Sequence, residues 1–343
     1  PVEGGVAAFR FLQRAQHIGK VVIRMRSALQ TSSGTNNKEG CAECPVSPTA
    51  LRSIGDAEKT YIISGGHGAL GLVVCKMLVE EGARHIALLS RSGEPSAELK
   101  EGSIWQYLLS TQPNIQVKHI KCDISKKEDV LKAFKGLQSD NWPPVRGIFH
   151  AAGVTDDKAL AEQDKASIEK VYAPKVVGAW NLHEVCDELD LNKDLEVFLM
   201  FSSVAALLGN FGQANYAAAN SCLDSLASWR RSIGLCGQSI QWGPCVEQGM
   251  AAGLRQEVEK LGLRGITNEI GVRVLVDCLR GGDMPVPVLC QAFRWKKYSE
   301  QFDTMPRFFE YVELEVTTPA PLRQPYSAMA PGQLKEHGTK VAS

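Results

Sequence analysis

From Lys59 onward the chain alternates short β-branched runs with longer stretches whose apolar residues recur about every 3.6 positions, and few folds accept that order. "TYIIS", "HIALLS", "VKHIKC", "GIFHAA", "VFLMFSS" and "QSIQW" read as six strands. Between them, "LGLVVCKMLVEEG", "EDVLKAFKGL", "PKVVGAWNLHEVCDEL" and "AAANSCLDSLASWRRSIG" have the spacing of amphipathic helices. Strands that alternate with helices build a parallel sheet covered on both faces, so the expected fold class is α/β, a doubly wound parallel sheet of Rossmann type. Ligands in such folds bind at the carboxyl ends of the strands.

The text on either side of this body differs in kind. "AAFRFLQRAQHIGKVVIRM" reads as a short helix and strand within residues 1–26, and residues 27–58 are rich in Ser, Thr, Gly, Asn and Pro, the composition of a linker. The body is expected over 59–314, with "FDTMPRFFEYVELEV" as its last packing element; 315–343, rich in Pro and Ala, read as a second linker. The opening proline suggests a piece of something longer.

Charge and cysteine usage narrow the partners. Thirty-eight basic and 38 acidic residues cancel, so no global field draws nucleic acid or an anionic membrane, and neither is expected as a partner. No run of eighteen apolar residues suggests a membrane span. The ten cysteines are scattered, and Cys41-x-x-Cys44 lacks a second pair or a histidine set, so no metal is expected. Cys75, Cys186, Cys222 and Cys278 fall in apolar helical patterns, which fits free thiols in a reducing, cytoplasmic compartment.

A cofactor site is written into the strand ends. "SGGHGALG" follows the first strand and runs into a helix, which puts Gly65, Gly66, His67, Gly68, Leu70 and Gly71 where backbone must approach a pyrophosphate. A bare glycine triplet is more often a turn; the order strand, glycines, helix is what the mechanism requires. The second strand ends in Ser90-Arg91, where a cofactor with a free ribose hydroxyl would want an acid, so a 2′-phosphate and NADPH are favoured. Asp123 after the third strand suits either an adenine amine or a helix cap, and Ala151, Ala152 and Gly153 after the fourth leave room for a planar ring.

The reacting centre is expected around the fifth strand. Ser202 and Ser203 end it, and Tyr216 begins the next long helix with Asn220 one turn later on the same face. A phenol protonates an alkoxide only where its phenolate is stabilised, and Lys175 in "APKVVGAWNLH" is the candidate ammonium. Standing alone, "YAAAN" would be a small-residue packing face.

Residues 59 to 250 resemble the ketoreductase domain of polyketide synthases and animal-type fatty acid synthases, within the short-chain dehydrogenase/reductase superfamily. The likeness rests on "TYIISGGHGALG", "GARHIALLSRSG", "GIFHAAGVTDDKAL", "APKVVGAWNLHE", "FLMFSSVAALLGNFGQANYAAANSCLDSLASWRR" and "SIQWGPCVEQGMA", in that order. It implies Tyr216 as proton donor, Ser203 as a hydrogen-bond donor to the ketone, and Lys175 with Asn220 orienting the tyrosine. Asparagine and lysine stand in the exchanged positions typical of synthase ketoreductases. The resemblance implies that Trp242, Gly243 and Pro244 hold the nicotinamide carboxamide and that "EQGMA", with Met250, forms a mobile lid. Ala69 replaces a usual glycine. Asp157 keeps part of the B-type Leu-Asp-Asp signature, Thr155 replaces its leucine, and Leu208 stands where A-type domains carry tryptophan; with Gln213 these residues imply a D-configured alcohol. The implied partners are an acyl carrier protein bearing a phosphopantetheine-tethered β-ketoacyl chain and an upstream enoylreductase, whose last helix and strand residues 1–26 resemble. The competing reading is a non-catalytic Rossmann-like structural module, which would be expected to lose the glycine loop and the four catalytic residues. Polyketide and fatty acid chemistry stay undivided at this level, because the same four residues reduce both kinds of ketone.

Overall fold

The computed structural model describes residues 54–302, apart from 112–113, 248, 250 and 281–283. The expected helix and strand in 1–26, most of the linker, and the segments after 302 lie outside the described residues. Within the expected linker, Ile54 is buried and Tyr61 Oη donates to its carbonyl at 2.9 Å.

All six expected strands form: β1 (Thr60–Ser64), β2 (His85–Ser90), β3 (Gln116–Lys121), β4 (Val145–His150), β5 (Val197–Ser203) and β6 (Gln238–Trp242). The expected helices are α1 (Ala69–Glu80), α4 (Lys127–Ser139), α6 (Gly178–Glu188) and α8 (Ala214–Ser232). Additional helices are α2 (Ala97–Glu101), α3 (Ser103–Thr111), α5 (Lys165–Tyr172), α7 (Ala205–Leu208), α9 (Arg255–Lys260), α10 (Asn268–Arg280) and α11 (Trp295–Ser299). A short antiparallel pair joins β7 (Leu263–Arg264) to β9 (Ala292–Phe293), and β8 (Val288–Cys290) completes the large sheet.

That sheet has seven strands in the order β3-β2-β1-β4-β5-β6-β8, every pairing parallel. The chain departs from β1 to one side and returns to the other, so the crevice between β1 and β4 is the switch point where a ligand fits. β1 is buried at every position and β2 at its four central ones, which explains their uninterrupted apolar runs. β3 lies at an edge, and its Lys118 and Lys121 suit a strand that presents unpaired backbone to water.

Alternation along the strands divides the core in two. Tyr61, Ile63, Leu88, Phe149 and Phe201 pack with α1, α3 and α10, whereas Ile62, Leu89, Ile148, Phe198 and Met200 pack with α4, α6 and α8. The second layer carries the reacting centre, because α8 lies directly on β5 and β6. No helix among the described residues is long and apolar enough to cross a membrane.

Candidate active site

The glycine loop fits a dinucleotide by its crowding. Gly65 has φ of 69°, a backbone conformation that other residues adopt at a cost, and a Cβ there would lie 2.8 Å from Ala152 N in the loop after β4. A side chain at Gly71 would place its Cβ 2.3 Å from the Gly65 carbonyl oxygen, so helix and loop are as close as backbones can be. α1 starts without a side-chain cap, which leaves its first-turn amides free for an anion. A pyrophosphate is the group this cradle fits.

Around the end of β2 the candidate residues have divided roles. Arg91 is exposed; against the opposing effect of burial, the hydrogen bonds from Ser125, then the charges of Lys126 and Arg91, hold the Asp123 carboxyl below its ordinary range. Asp123 Oδ1 accepts from Ser125 N at 3.1 Å and Ser125 Oγ at 2.7 Å, a local turn rather than the helix cap set beside the adenine role, because Lys126 is the residue that precedes α4. His67 turns inward: it is 4% exposed, with Nδ1 2.6 Å from Ser90 Oγ and Nε2 2.7 Å from His119 Nδ1. Burial, then the neighbouring His119, hold His67 down at about 4, so it is a neutral strut under the loop at physiological pH.

The four residues expected to react do converge. Lys175 sits in a π-helical turn, Ala173–Val177, between α5 and α6, where the Gly178 amide reaches back to the Ala173 carbonyl. Pro174 lacks the N–H that a continuous α-helix would use there, and the extra residue swings Lys175 into the protein. Its ammonium donates to the Phe201 carbonyl at 2.9 Å and to Asn220 Oδ1 at 2.8 Å, and lies 5.2 Å from the centre of the Tyr216 ring. Asn220 Nδ2 donates to the Tyr216 carbonyl at 2.8 Å, so one asparagine ties ammonium to helix. Of the serine pair, Ser202 is buried and donates to the Asn220 carbonyl at 3.3 Å; half-buried Ser203 is the one at the site.

Burial sets the electrostatics. It pushes the Lys175 ammonium down to about 7 from its ordinary 10.5, against the pull of the Asp224 carboxylate. It also pushes the Tyr216 phenol up, while the Asn220 and Ser203 side chains draw it back. A protonated phenol beside a hydroxyl and an ammonium can give a proton to an oxygen that gains negative charge.

A family model for the KR domain matches residues 59–247 of this chain. The chain belongs to the KR family, the ketoreductase domains of polyketide synthases. A phenolphthiocerol synthesis polyketide synthase, Pks15/1 of Mycobacterium marinum, is 40% identical over 250 residues, covering 72% of this chain and 10% of its own length. The highly reducing polyketide synthase PKS6 of Gibberella zeae is 34% identical over 249 residues, covering 73% of this chain and 9% of its own. Among solved structures, the ketoreductase PlmKR1 from the first module of phoslactomycin biosynthesis in Streptomyces sp. HK803 superposes with a TM-score of 0.63 at 29% identity, over 77% of this chain and 57% of that one. The chain thus spans about a tenth of these large multidomain synthases. KR domains use a nicotinamide cofactor to reduce a ketoacyl group, and the relatives named above are polyketide synthases.

Several residues of this KR domain that hold the site were not singled out from sequence. His150 Nε2 lies 2.9 Å from the Lys175 carbonyl, which can only accept, so Nε2 carries the proton and Nδ1 accepts from Ser64 Oγ at 2.6 Å. This neutral histidine, held down at about 4 chiefly by burial, pins the π turn to the ends of β1 and β4. Gly153, expected from sequence to leave room for a planar ring, also leaves the space that the lysine stem occupies: a Cβ there would lie 2.8 Å from Lys175 Cε. Asn215 Nδ2 donates to the Asp156 and Ser167 carbonyls at 2.9 and 3.2 Å, fastening the loop after β4 against α8.

The remaining expected residues frame the site. Gln213 Nε2 donates to Asp157 Oδ2 at 3.0 Å, and Leu208 ends α7. Ala151 N donates to the Ser64 carbonyl at 3.0 Å, Gly243 N to Cys290 O at 2.9 Å, and Pro244 O accepts from Ile266 N at 2.8 Å. The Trp242 indole points into the core beside Phe201, and Leu70 and Trp242 help line a narrow apolar cavity of about 20 Å³. Met250 lies outside the described residues.

Proposed function

We propose that this domain reduces the β-keto group of a 3-oxoacyl thioester, carried on an acyl carrier protein, to the D-configured 3-hydroxyacyl thioester, with NADPH as cofactor. The observation that carries the reading is the convergence of Tyr216, Ser203, Lys175 and Asn220 from three separate elements on one strand end. The bound nicotinamide supplies the hydride. Ser203 and Tyr216 hydroxyls hold the ketone oxygen, and Tyr216 delivers its proton as charge gathers there. Lys175 stabilises the phenolate that remains, and Asn220 keeps the ammonium under the ring.

The glycine loop and the uncapped start of α1 hold the pyrophosphate, Arg91 answers the 2′-phosphate, Asp123 keeps Oδ2 for the adenine amine, and Gly243 and Pro244 offer backbone to the carboxamide. The hydrogen bond between Gln213 and Asp157 supports the B-type reading, since it ties the signature aspartate to the start of the tyrosine helix. Unpaired thiols at all eight cysteines of the described residues suit the cytoplasm. An enoylreductase is the neighbour proposed on the amino-terminal side.

The test is turnover of a β-ketoacyl-N-acetylcysteamine thioester and of the same acyl group on a carrier protein, with NADPH or NADH, followed by chiral chromatography. Preference for NADPH and a single D-alcohol is expected. An L-alcohol would overturn the B-type reading, and equal use of NADH would overturn the role of Arg91.

A further inference from the structure

Tyr216, Asn220 and Asp224 recur every four residues and so share one face of α8. Asp224 is 9% exposed and is the one buried carboxylate among the described residues. Its Oδ2 accepts from Gln241 Nε2 at 2.8 Å, whereas Oδ1 is buried without a hydrogen-bond partner. A buried carboxylate left half unsatisfied is costly unless a cation stands close enough to answer its charge.

The buried cations among the described residues are Lys175 and Arg230. Arg230 is taken up elsewhere, by Cys236 O at 2.8 Å, His183 Nδ1 at 2.6 Å and Asn192 Oδ1 at 3.0 Å. Lys175 is bound to Asn220, one turn of α8 before Asp224. The two charges form no direct ion pair. The field of Asp224 reaches the ammonium across that turn, through a buried region where it is weakly screened.

We propose that Asp224, oriented by Gln241, is a positioning residue for the reduction, holding the Lys175 ammonium charged and in place beneath Tyr216. The inference rests on the reductase reading given above. Burial discharges Lys175 at high pH, and the Asp224 carboxylate is the group that opposes it. The other titratable groups around the pair do not substitute for it. His150, from β4, is neutral and hydrogen-bonds the Lys175 carbonyl and Ser64 Oγ, while Asp157 and Cys245 bear on the Tyr216 phenol.

Asp224→Asn preserves shape and hydrogen bonding to Gln241 while it removes the charge. Turnover at pH 7 is expected to fall about fivefold with NADPH affinity nearly unchanged. Because the reaction needs the ammonium charged, the alkaline limb of the kcat profile should move to lower pH by about one unit, and Asp224→Glu should restore part of it. A purely structural role would lower kcat without moving the limb. Urea unfolding of wild type, Asp224→Asn, Lys175→Met and the double variant gives a readout that needs no activity. Asp224→Asn should destabilise the wild type and leave the Lys175→Met protein unaffected or firmer. Wild type without turnover would remove the reductase reading, and the cycle would still decide the coupling. Additive substitutions, or a kcat limb superimposed on that of wild type, overturn the proposal.

Discussion

Replacing Lys175 by methionine should change how stability responds to pH. The ammonium is 3% exposed and titrates at about 7 in the fold against an ordinary 10.5. The unfolded chain therefore keeps a proton up to about pH 10 that the folded chain gives up near 7, and folding is favoured as pH rises between these values. At pH 7 and below, holding the charge in this site opposes folding by roughly 5 kcal/mol, net of the hydrogen bonds to Phe201 O and Asn220 Oδ1. The slope approaches about 1.4 kcal/mol per pH unit above 7, so between pH 7 and 8.5 the wild type should gain about 1.5–2 kcal/mol relative to Lys175→Met. Buried thiols act in the opposite sense. Cys75, Cys122, Cys186 and Cys290 are pushed up to about 12 from 9.0, so ionisation of the unfolded chain lowers stability at higher pH in both proteins alike. The difference between the two proteins isolates the lysine. Urea unfolding under reductant at pH 7 and 8.5 measures it, and parallel pH dependences would refute the account of a buried, discharged amine.

Two further outcomes separate the parts of the site. Gly153→Ala sets a Cβ against the stem of the buried, hydrogen-bonded Lys175, so unfolding free energy should fall by about 1–3 kcal/mol while turnover drops about tenfold, read by urea unfolding and initial rates. Arg91→Ala should raise the KM for NADPH by about ten- to a hundredfold and leave that for NADH nearly unchanged, as expected for a lost charge-assisted contact.

What could be read from the chain follows from how each element is encoded. β1 to β6 are buried on both faces or flanked by clear turns, and their β-branched runs stand out. β8 escaped because it is three residues long and directly follows Pro285 and Pro287, and proline argues against a strand except at an edge, which is where it lies. Lys175 was legible as a residue type, but the π turn that aims it was not, since one extra residue barely disturbs an apolar period. Asn215 and His150 act through carbonyls far along the chain, and no local pattern records such partners. Asp224 left a signal that was passed over: an acid in "NSCLDSLA" that shares the Asn220 face, where a residue packed on the sheet would be apolar. His67 was expected within the cofactor loop, and its inward turn depends on His119 fifty-two residues away.

The central claim is that Tyr216 gives up the proton, and oxidation of NADPH at 340 nm with a short β-ketoacyl-N-acetylcysteamine thioester tests it most directly. Tyr216→Phe should bind NADPH like the wild type and turn over at least about a hundredfold more slowly, as loss of a general acid requires. A phenylalanine variant with turnover near that of the wild type would contradict the account.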